Sequence, residues 1–282
     1  MLSSYAVETK KWEKNTRVMK RIESRNNPMV VQTGKLSSRK HREETRSFFF
    51  EGAHLLEEYL RFGLVPKTVF VRDGAEETYA SLLRQVPEEA LIGVPEHVFS
   101  KLSTEQAPQG ILTVSSYLSR VRRVASAEET PDRVLFLASV RDTGNVGTVI
   151  RTAASLGWTV VLSADCADPY AAKTVRASMG ALFSGVVCIC EDPFAYIRSF
   201  SASNRRVFAA SLGEREKTLG RFPLRRDDCF VIGNEGQGID PALLAACGEA
   251  VIIPMTGKTE SLNAAIAAAI IMWEGARTDG TE

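Results

Sequence analysis

The sequence predicts an α/β protein in which a doubly wound, parallel-sheet domain follows a smaller α/β unit. Three observations carry this. From residue 133 short, nearly continuous apolar runs recur: VLFLASV, WTVVLSA, VVCIC, RVFAASL, CFVIG and AVIIP. Stretches of helical character lie between them: TVIRTAASLG, AAKTVRASMGA, PFAYIRSFSAS, PALLAACG and SLNAAIAAAIIMWEGA. Strands buried on both faces and alternating with helices are the pattern of a covered parallel sheet. Finally, 282 residues suffice for about two domains of roughly 100–200 residues each.

The elements follow in chain order. Residues 1–28 read as a polar, basic extension with some helical spacing around Trp12, Val18, Met19 and Ile22. Residues 29–118 form the small α/β unit. There FFFEGAHLLEEYLRFG starts apolar and turns helical, with Leu55, Leu56, Tyr59 and Leu60 at helix spacing and Gly63 as the stop. KTVFVRD reads as a strand, AEETYASLLRQV as a helix and QGILTVSSYL as a last strand. Residues 119–132, SRVRRVASAEETPD, lack apolar periodicity and read as a linker. The sheet domain occupies 133–282.

Several classes of function are disfavoured at this level. No run of roughly 18 apolar residues calls for a membrane span. The N-terminus lacks the apolar centre of a secretory signal, so a cytoplasmic protein is expected. The five cysteines include no C-x-x-C pair, and Cys188 and Cys190 share one face of a strand, which suits reduced core thiols. His41, His54 and His97 have no metal-ligand spacing with a cysteine, so no metal is expected. Charge is uneven. Residues 1–46 carry +7 and the remainder −6, a basic arm on an acidic body that suits a polyanion partner or a solvated tail.

Ligands of such sheets bind beyond the carboxyl ends of the strands, and three loops there carry chemistry. In the first, RDTGNVGTVIRTAASLG, Asn145 can cap a helix, Gly147 can admit a ligand, and Arg151 lies six residues past Asn145. In the second, CFVIGNEGQGID, Gly233, Gly236 and Gly238 demand unusual backbone or close approach. Glu235 in that loop disfavours a phosphate and suits a cationic or hydroxyl-bearing ligand such as a sulfonium or a ribose. The loop fits neither dinucleotide nor P-loop fingerprints. In the third, VIIPMTGKTESLNAAIAAAIIMWEGA, Ser261 can cap an Ala-rich helix and Asn263 sits in its first turn. Each feature alone also reads as a cap, a surface charge or a tight turn.

Taken in order, these loops resemble the SpoU (TrmH-like) family of RNA ribose 2′-O-methyltransferases, within the SPOUT superfamily. The resemblance rests on Asn145-Val-Gly with Arg151, on Arg176-Ala-Ser-Met-Gly-Ala181, on Ile232-Gly-Asn-Glu-Gly-Gln-Gly238, and on Ile253-Pro-Met with Glu260-Ser-Leu-Asn263. It spans roughly residues 134–275. A looser likeness, carried by Leu36–His41 and Phe50-Glu-Gly-Ala, ties residues 30–118 to the family's substrate-binding domain.

The resemblance implies a parallel-sheet domain whose C-terminal segment threads a trefoil knot. It implies S-adenosylmethionine as cofactor, with Gly233, Ile253 and Leu262 matching its contacts. It implies Asn145, Arg151, Glu235 and Asn263 as the catalytic set, Ser261 completing the pocket, and a homodimer joined through the methyltransferase domain. A guanidinium is a poor base, so Arg151 suits phosphate binding or stabilisation of a developing alkoxide. Arg39, Lys40, Arg42 and Arg46 would track RNA phosphates. The extra N-terminal domain favours ribosomal RNA. Transfer RNA and a non-catalytic RNA-binding protein of the same fold are the alternatives.

Overall fold

The computed structural model describes residues 9–11, 18–130, 132–211, 216–257 and 261–279. The chain divides into two compact units, residues 1–117 with 170–172, and residues 118–169 with 173–282.

The first unit holds a six-stranded mixed sheet. Its strands are β1 (Thr9–Lys11), β2 (Val18–Arg21), β3 (Ser47–Glu51), β4 (Thr68–Arg72), β5 (Leu91–Val94) and β6 (Ile111–Ser116). Their order is β1-β2-β5-β4-β6-β3. Helices α1 (Pro28–Lys35), α2 (Arg39–Thr45), α3 (Ala53–Arg61), α4 (Ala75–Thr78), α5 (Ala80–Leu83) and α6 (Glu96–Leu102) accompany it. Residues 18–21, read above as helical, are a strand parallel to β5, and Ile22 is buried beside them. A short segment follows the hydrogen-bond partners of the sheet rather than its own weak periodicity. Trp12 lies outside the described residues.

The second unit is an eight-stranded parallel sheet. Its strands are β7 (Arg122–Arg123), β8 (Val134–Leu137), β9 (Thr159–Ser163), β10 (Val187–Cys190), β11 (Val207–Ala210), β12 (Glu216–Thr218), β13 (Cys229–Ile232) and β14 (Gly248–Ile252). The order is β12-β14-β11-β13-β8-β9-β10-β7, and every pairing is parallel. All six anticipated strands are present. Residues 119–132, expected as a linker, carry structure of this unit: β7 pairs with β10, and Ser126 and Glu129 form a capping box.

Alternation along the strands divides the core. Val134, Phe136, Val161, Cys188, Cys190, Val207, Cys229 and Val231 face helices α9 (Pro193–Ala202) and α10 (Pro241–Ala246). The opposite parity meets α7 (Thr143–Leu156) and α11 (Ala264–Asp279): Trp158 lies 5.8 Å from Phe230 and donates its indole N–H to the carbonyl of Met272. The short helix α8 (Ala172–Ala177) packs on α7. Both cysteines of VVCIC sit on one face, as their spacing required.

Candidate active site

Strand β13 runs into a loop that folds back on itself. A Cβ on Gly233 would fall 2.4 Å from the carbonyl carbon of Gly238, so only glycine permits that approach. The loop closes through paired backbone bonds between Asn234 and Gly238, 3.0 and 2.8 Å long. Gly238 takes φ 71°, which favours glycine. Asn234 Oδ1 accepts from the amides of Gly236 and Gln237, and its Nδ2 donates to the Ser139 carbonyl at 3.0 Å, beyond the end of β8. Glu235 is thereby held at the exposed tip of the loop.

Helix α7 is capped by Asp142, whose carboxylate accepts from the amide of Asn145 at 2.7 Å. This corrects the expectation that Asn145 is the cap. Placed in the first turn instead, Asn145 keeps its side chain for tertiary contacts. Ser261 does not cap α11 either. Asn263 Oδ1 does so, accepting from Ala265 and Ile266 at 2.9 and 3.2 Å. The two amides and the carboxylate then meet: Asn263 Nδ2 donates to Asn145 Oδ1 at 3.0 Å, and Asn145 Nδ2 donates to Glu235 Oε1.

Among the described residues, no hydrogen bond joins Arg151 to them. Six residues past Asn145, it is turned about 240° around the helix axis. It shares the stripe of Gly147, one turn away. Its side chain is exposed. Gly147 serves a different purpose from the one expected of it. A Cβ there would sit 2.5 Å from the Ala177 Cβ and 2.6 Å from the Thr174 carbonyl, so it seats α7 on α8 rather than admitting a ligand.

A cavity of about 330 Å³ opens beside the cluster, within the range of small-molecule sites. Gly233, Ile253 and Leu262, the three positions expected to contact the cofactor, all line it, as do Glu235 and Ser261. Its remaining wall is largely apolar, from Ile232, Ile239, Val251, Ile252, Met255 and Ala267. The Ser211 hydroxyl lines it too, buried and without a hydrogen-bond partner among the described residues. An orphaned hydroxyl in an apolar cleft calls for a ligand polar atom. These features fit S-adenosylmethionine, an apolar-faced purine with a few hydrogen-bonding groups and a sulfonium that suits the neighbouring Glu235. Sequence reasoning missed Asp142, Asn234 and Ser211. The Asx-turn character of Asn-Glu-Gly and Asp-Thr-Gly signalled the first two; nothing local signalled Ser211.

Of the four cations expected to meet RNA, Arg39, Lys40 and Arg46 are exposed. Arg39 pairs with Glu43 at 2.8 Å, Lys40 stands 3.9 Å from Glu44, and the Arg46 guanidinium lies 4.6 Å from the Tyr117 ring centroid. Arg42 is a correction. Only 4% exposed, it donates to the carbonyls of Leu36 and Ser37 at 2.7 and 2.9 Å and so serves the fold of its unit. Among the described residues no His, Cys, Asp and Glu cluster could hold a metal, and no helix is long and apolar enough to cross a membrane.

A cleft at the carboxyl edge of a parallel sheet, closed by glycines and fronted by an amide–carboxylate chain, differs from dinucleotide sites and fits the site expected of an S-adenosylmethionine-dependent RNA methyltransferase. Comparison with known proteins agrees. The SpoU rRNA methylase family profile matches residues 132–273, and an MRM3-like substrate-binding domain profile matches residues 27–113. The chain belongs to the SpoU rRNA methylase family. It is 33% identical to the Bacillus subtilis 23S rRNA (guanosine(2553)-2′-O)-methyltransferase RlmP, over 90% of this chain and 98% of that one. Among solved structures, an AdoMet-bound rRNA methyltransferase from Sinorhizobium meliloti superposes with a TM-score of 0.77 at 29% identity, covering 92% of this chain and 98% of that one. A TrmH-family RNA methyltransferase from Porphyromonas gingivalis gives 0.75 at 30% identity, covering 90% and 98%.

Proposed function

We propose that the chain transfers the methyl group of S-adenosylmethionine to a ribose 2′-hydroxyl of ribosomal RNA. The observation that carries this is the Asn263–Asn145–Glu235 cluster at the mouth of a cavity lined by Gly233, Ile253 and Leu262. Ribosomal RNA as the substrate is supported by the activity of the Bacillus relative and by the substrate-binding domain profile.

The cofactor supplies an activated methyl on a sulfonium. What remains for the protein is alignment and management of one proton. Glu235, held by Asn145, suits a hydrogen bond to the ribose hydroxyl, with Ser261 at the cavity wall. Arg151, exposed and apart from the cluster, suits an RNA phosphate, which a guanidinium binds in bidentate fashion. Arg39, Lys40 and Arg46 remain as phosphate contacts of the small N-terminal unit.

The same reading includes a trefoil knot, supported by Gly233, Glu235 and Gly238 sharing one cavity with Ile253, Met255, Ser261 and Leu262. It includes a homodimer, supported by Ile266 and Trp273, 52% and 60% exposed and seven residues apart on α11. A cytoplasmic location suits five buried, unpaired cysteines.

Mapping 2′-O-methylation across total RNA from wild-type and deletion cells tests the function. Loss of one ribosomal site, restored by the wild-type gene, is expected. Loss confined to transfer RNA would overturn the substrate, and an unchanged map would overturn the activity.

A further inference from the structure

The hydrogen bonds of the cluster run in one direction. The Asn263 carbonyl oxygen must face the helix, because it accepts from the free amides of Ala265 and Ile266. That turns its Nδ2 toward Asn145, whose only side-chain acceptor is Oδ1, at 3.0 Å. With Oδ1 so used, Asn145 presents its Nδ2 to Glu235 Oε1. An ionised carboxylate has acceptors only, so the chain ends there. Among the described residues no hydrogen bond reaches Glu235 Oε2, and Glu235 lines the cavity.

We propose that Asn263 is a positioning residue: by capping α11 it fixes the donor direction Asn263 to Asn145 to Glu235, which reserves Glu235 Oε2 as the acceptor for the ribose hydroxyl. The proposal rests on the function assigned above. It differs from a purely structural cap in one respect. A cap needs only an acceptor at residue 263, whereas the chain also needs a donor there.

Asn263→Asp separates the two. Aspartate caps a helix as well as asparagine and is nearly isosteric, but it carries no N–H. In that variant Asn145 either sets its Oδ1 against the introduced carboxylate, oxygen to oxygen, or turns over and sets Oδ1 against Glu235 Oε1. Adding Glu235→Gln supplies a donor at the far end. The chain then closes in reverse, from the introduced amide at position 235 through Asn145 to the introduced carboxylate at position 263.

The test is a double-mutant cycle on the cofactor-free protein. It is read by thermal melting and by the side-chain ¹⁵N–¹H₂ signals of Asn145. Asn263→Asp is expected to melt about 2–4 °C below wild type. In the Glu235→Gln background the same change is expected to cost nothing, with the Asn145 amide signals shifted as its partners exchange. Asn263→Asp should also lower kcat by about 10²-fold with S-adenosylmethionine affinity kept. An equal melting cost in both backgrounds, or a wild-type kcat in Asn263→Asp, would overturn the proposal. The melting cycle needs no RNA, so it stands even where no methylated site is found; that second result strikes the function and not the chain.

Discussion

Asn263 donates to Asn145 across 118 residues of sequence, at 3.0 Å, while capping the last helix of the fold. The bond couples the first turn of α7 to the N-cap of α11, the two helices that follow the first and third loops. With Glu235 it joins all three loops into one cluster.

Removing the middle of that cluster should separate chemistry from cofactor binding. Asn145→Ala breaks both side-chain bonds while Asp142 still caps α7 through the backbone amide of residue 145. Methyl transfer is expected to fall by about 10²-fold, as when a positioned donor is deleted from an active site. S-adenosylmethionine affinity by calorimetry should stay close to wild type, since Asn145 does not line the cavity.

Two glycines are expected to fail for different reasons. In Gly233→Ala the new methyl meets the Gly238 backbone at 2.4 Å, so the loop must open, and calorimetry should show cofactor binding lost. In Gly147→Ala it meets Ala177 at 2.5 Å on α8. Overpacking of this kind costs about 1–3 kcal/mol, visible in urea melts, with cofactor binding kept in the protein that remains folded.

The basic residues of α2 and its C-cap divide into two groups. Replacing Arg39, Lys40 and Arg46 together should flatten the salt dependence of RNA binding, by about 0.7–0.9 in log–log slope for each phosphate no longer neutralised. Arg42→Ala should leave that slope alone and lower stability instead, because the carbonyls of Leu36 and Ser37 lose their donor. Filter binding at several salt concentrations, together with thermal melts, distinguishes the two.

Burial pushes the Cys190 thiol up to about 11 and the Cys247 thiol to about 12, and raises Cys166, Cys188 and Cys229 as well. A thiol reacts as its thiolate. At pH 8 the unfolded chain is partly ionised, whereas the native thiols stay protonated and covered. A disulfide reagent at that pH should titrate almost none of the five in the native protein and all five in guanidinium.

If Ile266 and Trp273 of α11 lie in a dimer interface, charge there should break it. Trp273→Glu is expected to sediment as a monomer of about half the wild-type mass, with its circular dichroism unchanged, because the side chain is 60% exposed in the single chain. Wild-type sedimentation as a monomer would remove the homodimer from the proposed function.

The sequence by itself determined the parallel sheet and the three loops at its carboxyl edge. Runs such as VLFLASV are apolar without alternation because both faces of the sheet are covered, and Val134, Leu135, Phe136 and Leu137 are all fully buried. The glycines of CFVIGNEGQGID announced a tight loop, and Glu235 within it stood out as a carboxylate suited to a cationic or hydroxyl-bearing ligand. Edge strands β7 and β12 escaped notice because Arg122–Arg123 and Glu216–Thr218 are short and polar, as exposed edges tend to be.

Tertiary structure alone decided who does what within that set. Asp142 took the cap expected of Asn145, and Asn263 took the one expected of Ser261. Arg42 went to backbone carbonyls, Gly147 to a helix contact, and Arg151 to a face away from the cluster. Periodicity reports how deeply a residue is buried, which is a local average over its neighbours in sequence. Hydrogen-bond direction and close approach depend on which distant group arrives opposite. Asn145 meets partners 90 and 118 residues away, and no spacing within a loop could have named them.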